Sequence, residues 1–369
     1  MSQNVQAIVL GGGSSERFQT NKTKLVEKIC GKEMVLYPLD LLEKLHISTT
    51  LVTGFQHSKV LEVLKKHKKE NINVIHQKEP LGSGHAASLT QSLWDKDHIL
   101  LMGADIPLLK PEVITKLYNK HVKTDADISF ITAHGIDIEN KNYCRIVIND
   151  NKIHVLDHSS SPQDLDSQCC ISGGVYIAKK SFLTKYINNL TKGNVSNEYY
   201  LPELVQIASN NNCKIVTSPI SIDSIRCVDT LADLWAVEHI KRSQIIQHWM
   251  NHGVRFAHAI NVMIDEDVII EPGAYIGSGT HLLGKTTIKA HSTVGAYSYI
   301  KNSTIHENCS IKSHTVVTDS TIKENSIILP FTHIDHQDII NPVQHKAKAS
   351  SQRFTGAIKT KHINNQQDL

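Results

Sequence analysis

Residues 10–25, LGGGSSERFQTNKTKL, decide the fold of the first half of this chain. They follow an apolar run at residues 7–10, so three glycines stand where a predicted strand enters a turn. Glycines let backbone N–H groups approach an anion closely, and Arg17 and Lys24 add positive charge to the same loop. The stretch predicts a turn that holds phosphate, with a plain strand-to-helix turn carrying surface cations as the alternative.

The turn fits neither of two common phosphate-binding motifs. No Gly-Lys-Ser/Thr ends it, as a Walker A loop requires. Glu16 stands where the dinucleotide-binding fingerprint has its third glycine. Backbone donors with fixed cations suit a triphosphate whose charge is held while a bond at phosphorus breaks.

Working outward, the first half alternates short apolar runs with helical patterns. This alternation predicts an α/β domain, a Rossmann-like and mostly parallel sheet covered by helices, with ligands at the carboxyl ends of the strands. The candidate strands are residues 7–10, 50–53, 73–76, 99–102, 128–133, 145–149, 173–178 and 214–217. The candidate helices include residues 34–45, 59–69 and 111–120, and a helix over 229–250 that begins at a capping box of Thr230 and Asp233.

The second half has a different period. An aliphatic residue recurs at steps of six, with two steps of five, and a small residue follows four positions later. The aliphatic positions are 264, 270, 276, 282, 288, 294, 300, 305, 311, 317, 322, 328 and 334. The small residues are Val268, Ala274, Thr280, Thr286, Ser292, Ser298, Thr304, Cys309, Thr315, Thr321, Ser326 and Thr332. Twelve hexapeptide units predict about four coils of a short left-handed parallel β-helix, with both series pointing inward.

These patterns divide the chain into four parts. Residues 1–228 form the predicted α/β domain, 229–257 a connecting helix and linker, and 258–340 the β-helix. Residues 341–369 carry five Lys or Arg and one acidic residue with few large apolar groups, which predicts a basic, flexible tail.

The composition excludes several classes of protein. A net charge of +3 over 369 residues indicates no nucleic-acid partner. The sequence has no apolar run that predicts a membrane segment or a signal peptide. Seven cysteines without a C-x-x-C pair argue against a disulfide framework and a zinc site. A cytoplasmic protein is the expectation.

Two carboxylates follow predicted strand ends. Asp105 lies in GADIPL after an apolar strand, and Asp229 lies in VDTLADL just before the capped helix. Carboxylate oxygens are natural Mg²⁺ ligands, although an Asp that caps a loop is the common alternative.

In QKEPLGSGHA, residues 77–86, Gln77 offers an amide for a base edge beside Gly82 and Gly84. His85 is expected to be structural.

Taken in order, the motifs LGGGSSERF with Lys24, QKEPLGSGHA, GADIPL, YCRIV, NEYYLPEL and VDTLADL resemble those of the sugar-1-phosphate nucleotidylyltransferases. They are most similar to the bacterial bifunctional N-acetylglucosamine-1-phosphate uridylyltransferase/acetyltransferase family, over about residues 5–334. The resemblance implies transfer of uridylyl from UTP to a sugar 1-phosphate, with Mg²⁺ as the cofactor, no membrane partner and a homotrimer formed through the β-helix.

The resemblance also implies roles for particular residues. Arg17, Lys24 and Asp105 would be catalytic, and Asp105 and Asp229 would hold Mg²⁺. The residues implied in nucleotide binding are Leu10, Gly11, Gly12, Gly13, Lys24, Gln77, Gly82, Ser83, Gly103, Ala104 and Asp105. The residues implied in sugar binding are Cys144, Asp157, Ser172, Tyr199, Tyr200 and Asp229.

Several positions depart from the family pattern. The family has Asn where Asp229 stands, Gly at Cys144, Glu at Asp157 and Asn at Ser172, so the identity of the sugar stays open. The family's acetyltransferase segments, similar to HLTYLGD and NYDG, are not found in this sequence. We therefore expect a scaffolding or trimer-forming β-helix. An acyltransferase that uses the hexapeptide domain and a non-catalytic nucleotide-sugar-binding regulator are the alternatives.

Overall fold

The computed structural model describes residues 3–133, 143–149, 152–156, 170–193 and 197–339. The chain divides into two compact units. The first comprises Met1–Asn251 with Met263–Val268, and the second comprises His252–Val262 with Ile269–Leu369.

The first unit is an α/β domain. Its strands are β1 (Val5–Gly11), β2 (Lys28–Ile29), β3 (Lys32–Glu33), β4 (Ser48–Thr53), β5 (Asn73–His76), β6 (His98–Gly103), β7 (Ile128–Ala133), β8 (Arg145–Asn149), β9 (Lys152–Leu156), β10 (Cys170–Lys179) and β11 (Ile215–Ile220). Its helices are α1 (Leu36–Lys44), α2 (His57–Lys66), α3 (Ser83–Ser88), α4 (Pro111–Thr124), α5 (Lys180–Tyr186), α6 (Glu203–Asn210) and α7 (Leu231–Asn251).

A nine-stranded sheet organises this unit, in the order β11-β7-β10-β6-β1-β4-β5, with β8 paired to β10 and β9 to β8. Strand β1 runs parallel to both neighbours, β4 and β6, whereas β10 is antiparallel to β6 and β7. Ala7, Ile8 and Val9 of β1 are fully buried, as expected for a central strand with both faces covered. The predicted mostly parallel, Rossmann-like sheet is confirmed.

All eight predicted strands are present, and those at 73–76, 128–133 and 145–149 have the predicted bounds. The capping box before α7 is also present. Oγ1 of Thr230 accepts from the backbone N–H of Asp233 at 3.1 Å, and Oδ2 of Asp233 accepts from the N–H of Thr230 at 2.8 Å. This reciprocal pair satisfies two backbone donors that the first turn of the helix leaves open.

Short parallel strands stack into three sheets in the second unit, as a β-helix requires. One sheet contains Arg255–Phe256, Tyr275–Ile276, Thr293–Val294, Ser310–Ile311 and Ile327–Ile328. Another contains His281–Leu283, Tyr299–Lys301, Val316–Thr318 and His333–Asp335. The third contains Ile269–Ile270, Thr287–Ile288, Thr304–Ile305, Thr321–Ile322 and Asp338–Ile339. The strand Met263–Ile264 belongs to the first unit. The hexapeptide prediction is confirmed, and all thirteen aliphatic positions are buried, with exposures of 3% or less.

Two of the predicted inward small residues are wrong. Thr304 and Thr321 are only half-buried, and Ser303 and Ser320, at 2% and 5% exposure, take the inner position instead. The error falls at the two five-residue steps. Side chains of a strand alternate, so the residue just before an inward Ile305 or Ile322 must point outward. The inner small residue therefore always lies two positions before the aliphatic one.

Within the described residues, no helix has the length and apolarity needed to cross a bilayer. The six cysteines in that part of the chain are free thiols. Cys169 and the tail at 341–369 lie outside the described residues.

Candidate functional site

A cleft lies at the carboxyl ends of β1 and β6. Gly11 ends β1 and Gly103 ends β6, and the backbone N–H of Ala104 donates to the carbonyl of Leu10 at 2.9 Å. This bond holds the segment that carries Asp105 against the glycine turn. Parallel strands bring their carboxyl ends to one edge of a sheet, which is where the predicted ligand site was expected.

The centre of the cleft is the ammonium group of Lys24. Its Nζ lies 2.6 Å from Oδ2 of Asp105 and 2.8 Å from Oδ1 of Asp229. Arg17 reaches the same cluster, since its Nη2 lies 3.2 Å from Oδ2 of Asp229. The structure therefore brings together the four charged residues that the sequence analysis singled out.

The surroundings keep Lys24 charged. Burial by itself lowers the pKa of this amine, but the adjacent charges of Asp105 and Asp229 and their hydrogen bonds outweigh burial, so the pKa of Lys24 is raised. A backbone bond from the N–H of Val228 to the carbonyl of Asp105, 3.1 Å long, joins the two segments that carry the carboxylates. The cluster is thus fixed by main-chain contacts as well as by ion pairs.

The cleft has two adjoining lobes, which share Leu10, Arg17, Ser83, Asp105 and Asp229. The first lobe is further lined by Gly11, Gly12, Gly13, Lys24, Gln77 and Gly82. The second lobe is further lined by Gly103, Cys144, Ser172, Tyr176 and Tyr200. The charged cluster therefore lies where the two lobes meet.

Gln77 lies at the end of β5 and faces the glycine turn. Its Nε2 donates to the carbonyl of Gly82 at 3.1 Å and lies 2.9 Å from Nδ1 of His85, which must accept because an amide nitrogen only donates. A Cβ on Gly12 would collide with Oε1 of Gln77. The amide is thus oriented by its own neighbours, and its acceptor oxygen lies against the glycine turn.

Small and aromatic side chains wall the second lobe. Oγ of Ser172 shares a 2.5 Å hydrogen bond with the hydroxyl of Tyr176, and the N–H of Ser172 donates to the carbonyl of Cys144 at 2.9 Å. Because Ser172 and Cys144 are tied to the sheet in this way, the shape of this wall is set by β8 and β10.

Two of the predicted residues that the structure describes, Ala104 and Tyr199, do not line the cleft. Ala104 is fully buried, with its methyl group beneath Gly11. The ring of Tyr199 lines a separate depression with His85, and the carbonyl of Tyr199 accepts from the N–H of Gly84 at 2.7 Å. This contact supports the loop that carries Gly82 and Ser83. Asp157 lies outside the described residues.

Further residues reach the cleft that the sequence analysis did not single out. Oγ of Ser15 accepts from the backbone N–H of Lys24 at 3.3 Å. In the second lobe, the hydroxyl of Tyr143 accepts from the N–H of Cys227 at 3.3 Å, and the thiol of Cys227 lies 3.9 Å from Oδ2 of Asp229. Burial raises the pKa of the Cys227 thiol. The available signal was the motifs themselves, since Ser15 lies within LGGGSSERF, Tyr143 begins YCRIV and Cys227 directly precedes VDTLADL.

The donor set at the cluster fits a hard divalent cation. Two carboxylates from distant parts of the chain converge on one positively charged group, and carboxylate oxygens are the ligands that Mg²⁺ prefers. The residues that would hold such an ion are Asp105 and Asp229.

Comparisons with known proteins agree with this architecture. Residues 7–170 match the MobA-like NTP transferase domain, and residues 261–351 match the GMPPB C-terminal domain. Three relatives carry the description "Bifunctional protein GlmU". That of Oleidesulfovibrio alaskensis is 27% identical over 321 residues, covering 81% of this chain and 66% of the relative. That of Exiguobacterium sibiricum is 29% identical over 306 residues, covering 81% and 67%. That of Thermoanaerobacter pseudethanolicus is 26% identical over 342 residues, covering 92% and 73%.

Fold, cleft and matches define the class as an NTP transferase-type α/β domain followed by a parallel β-helix. Within that class, the chain is similar to the GlmU proteins, and the family resemblance predicted from its motifs is confirmed. The chain spans about two thirds of the length of the relatives it matches.

Proposed function

We propose that this protein is a nucleotidyltransferase that forms a UDP-sugar, with UDP-N-acetylglucosamine as the first candidate, and pyrophosphate from UTP and the sugar 1-phosphate. The observation that carries the proposal is the convergence of Asp105 and Asp229 on Lys24 beside the glycine turn. A site with two carboxylates, two cations and backbone donors can balance a triphosphate while one of its bonds breaks.

In this reaction a phosphate oxygen of the sugar 1-phosphate attacks the α-phosphorus of UTP in line. A new oxygen–phosphorus bond forms, and the bond from the α-phosphorus to the bridging oxygen breaks and releases pyrophosphate. The nucleophile is already an anion near pH 7, so no side chain needs to remove a proton. The protein contributes positioning and charge stabilisation.

Residues of the first lobe would hold the nucleotide. Backbone N–H groups of the turn at Gly11, Gly12 and Gly13 lie where phosphates would enter, and Lys24 and Arg17 would neutralise the leaving pyrophosphate. Mg²⁺, held by Asp105 and Asp229, would supply charge neutralisation between substrate phosphates when it is bound.

Gln77 would select the base. Its Nε2 is used within the protein, so Oε1 is the atom presented for recognition. An acceptor at this position matches the N3–H donor of uracil and opposes the unprotonated N3 of cytosine. We expect Gln77→Ala to lower the ratio of kcat/KM for UTP over CTP by about tenfold, since leaving one polar partner unpaired costs about 1–3 kcal/mol.

The second lobe would hold the sugar, with Cys144, Ser172 and Tyr200 along its wall. Because Cys144 and Ser172 depart from the family pattern, the sugar is identified by experiment. The test is a pyrophosphate-release screen of UTP against the 1-phosphates of N-acetylglucosamine, glucosamine, glucose and galactose. Release with one or more of these supports the proposal, and UTP binding without release for any of them would favour a non-catalytic binding protein.

We propose that the β-helix serves self-association, as a homotrimer, and does not transfer acetyl groups. Its match to the GMPPB C-terminal domain and the lack of segments similar to HLTYLGD and NYDG in this sequence support this assignment. Consumption of acetyl-CoA with glucosamine 1-phosphate would contradict it. Mass measurement in solution tests the trimer. The cytoplasmic location and the role of the basic tail stay predictions.

A further inference from the structure

The ammonium of Lys24 occupies the position between the two carboxylates that would hold a divalent cation. Its Nζ makes hydrogen bonds to Oδ2 of Asp105 and Oδ1 of Asp229, at 2.6 and 2.8 Å. The Lys24 side chain is only 14% exposed, and those of Asp105 and Asp229 are 23% and 9% exposed. A cation that takes these same two oxygens must therefore displace the lysine from at least one of them.

The formal charges of Lys24, Arg17, Asp105 and Asp229 sum to zero. Two carboxylates face two cations, Lys24 and Arg17, through contacts of 2.6 to 3.2 Å. A divalent cation entering alone would leave two excess positive charges in a half-buried cleft, and a triphosphate entering alone would leave a large negative excess. When the cation and the triphosphate enter together, the net charge of the cleft changes least. Interactions between charges in such a partly desolvated site are stronger than in bulk water.

We propose that Lys24 is a built-in counter-ion that holds the cation position between Asp105 and Asp229 until cation and nucleotide arrive together. In the loaded site Asp105 and Asp229 would hold the cation, and the ammonium of Lys24 would donate to phosphate oxygens. The two ligands are thereby coupled, because each removes the charge imbalance that the other creates. This inference rests on the proposed function and adds that the cation and the nucleotide bind as a coupled pair.

The carboxylate at position 229 adds a second negative charge to the hold on Lys24. An Asn there, as in the family pattern, would offer an oxygen to a metal but no charge to the lysine. With Asp229, the ammonium is held from two sides and by charge on both. The carboxylate therefore strengthens the hold on Lys24 at the same time as it strengthens the metal site.

The test measures binding of Mn²⁺ alone, in the absence of nucleotide, by titration calorimetry and by the electron paramagnetic resonance signal of free Mn²⁺. Lys24→Met removes the competing cation and leaves both carboxylates. We expect it to bind Mn²⁺ alone about tenfold more tightly than the wild type, within the range typical of coupled ligands. Lys22→Met is the matched control, since this exposed lysine of the same loop is not among the residues that line either lobe; it should bind Mn²⁺ as the wild type does.

Equal or weaker Mn²⁺ binding by Lys24→Met, with the wild-type circular dichroism spectrum, would overturn the inference. If unpaired carboxylates prevent that variant from folding, Lys24→Gln replaces it, because its neutral amide still donates a hydrogen bond; the same gain is then expected. The proposed function fails on a different measurement, the absence of pyrophosphate release by the wild type with every sugar phosphate tested.

Discussion

Lys24 and Asp105 lie 81 positions apart in the chain, and yet the ammonium nitrogen of one is 2.6 Å from a carboxylate oxygen of the other. The contact joins the glycine turn after β1 to the segment after β6, so two neighbouring strands deliver both groups to one point. The second partner, Asp229, is 205 positions from Lys24 and enters from the start of α7. A long helix with a complete capping box holds that third segment in place.

The first prediction concerns Asp105. Asp105→Asn keeps the size of the side chain but removes one of the charges that would hold a cation and that pairs with Lys24. We expect pyrophosphate release to fall by about 10² to 10³, the usual effect of removing one preorganised charge from a reaction of this class. Steady-state assays with UTP and the best sugar 1-phosphate give the value. Asp95→Asn, at an exposed position before β6, is the control; near-wild-type turnover of Asp105→Asn would refute the proposed role.

The second prediction uses two adjacent glycines that differ in their surroundings. A Cβ on Gly12 collides with the side-chain oxygen of Gln77, whereas a Cβ on Gly13 meets no atom within 4 Å. Gly12→Ala should lower the free energy of unfolding by about 1–3 kcal/mol, as overpacking does, and Gly13→Ala should change it by less than about 0.5 kcal/mol. Urea unfolding followed by circular dichroism measures both. Equal values for the two variants would show that Gln77 moves aside freely, and then it could not be a rigid base selector.

Much of the fold could be predicted because the buried strands are nearly continuous apolar runs and the β-helix repeats its pattern twelve times. What was missed is short or weakly patterned. Helix α3 has six residues, SGHAAS, with a glycine and no amphipathic period, so its identity as a helix depends on tertiary contacts such as Gly84 to Tyr199. Strand β9, KIHVL, alternates polar and apolar residues over only a few positions, and this run is too short to identify a strand without its pairing with β8.

The convergence of Asp105 and Asp229 beside the glycine turn was predicted from the motifs, but the position of Lys24 between them was not. The family motifs indicated Lys24, Asp105 and Asp229 individually, because each follows a strand or precedes a helix. Nothing in the sequence states that the lysine bridges the two carboxylates, since that contact depends on the paths of three separate segments. Tyr199 shows the converse: a motif position that looks like a ligand contact instead supports the loop behind the cleft.

The third prediction tests the corrected inner position of the β-helix. Ser303 is buried and its Oγ accepts from the N–H of Ser320 at 3.1 Å, whereas Thr304, one residue on, is half-buried on the outward side. Ser303→Leu should destabilise the protein by about 1–3 kcal/mol, because a larger side chain cannot fit the tight inner corner. Thr304→Leu should change stability by less than about 0.5 kcal/mol. Thermal unfolding of the two variants measures the difference. If Thr304→Leu is the more destabilising variant, the inner residue at this coil is Thr304, four positions after Ile300, as the repeat originally predicted.

The fourth prediction concerns two neighbouring histidines, His98 of β6 and His121 of α4. The ring of His121 is fully buried, with Nδ1 2.8 Å from Oγ of Ser129 and Nε2 3.1 Å from Nδ1 of His98. Burial, and then the nearby charges of His98 and Lys179, lower the pKa of His121 to about 4. The folded protein thus resists a proton that the unfolded chain accepts below its ordinary pKa of 6.5. The associated stability is complete above pH 6.5 and is lost as the pH falls towards 4, by up to about 3 kcal/mol.

His121→Gln removes the titrating group at this site but keeps a side chain that can form hydrogen bonds. We expect the variant to be less stable than the wild type at pH 7.5, where the neutral histidine is well paired, and to lose less stability between pH 7 and pH 4.5. Urea unfolding at a series of pH values measures the difference, with His239→Gln on the exposed side of α7 as the control. If wild type and His121→Gln lose stability in parallel over this range, the histidine is protonated in the folded protein, and the acid sensitivity of this domain must arise from other groups.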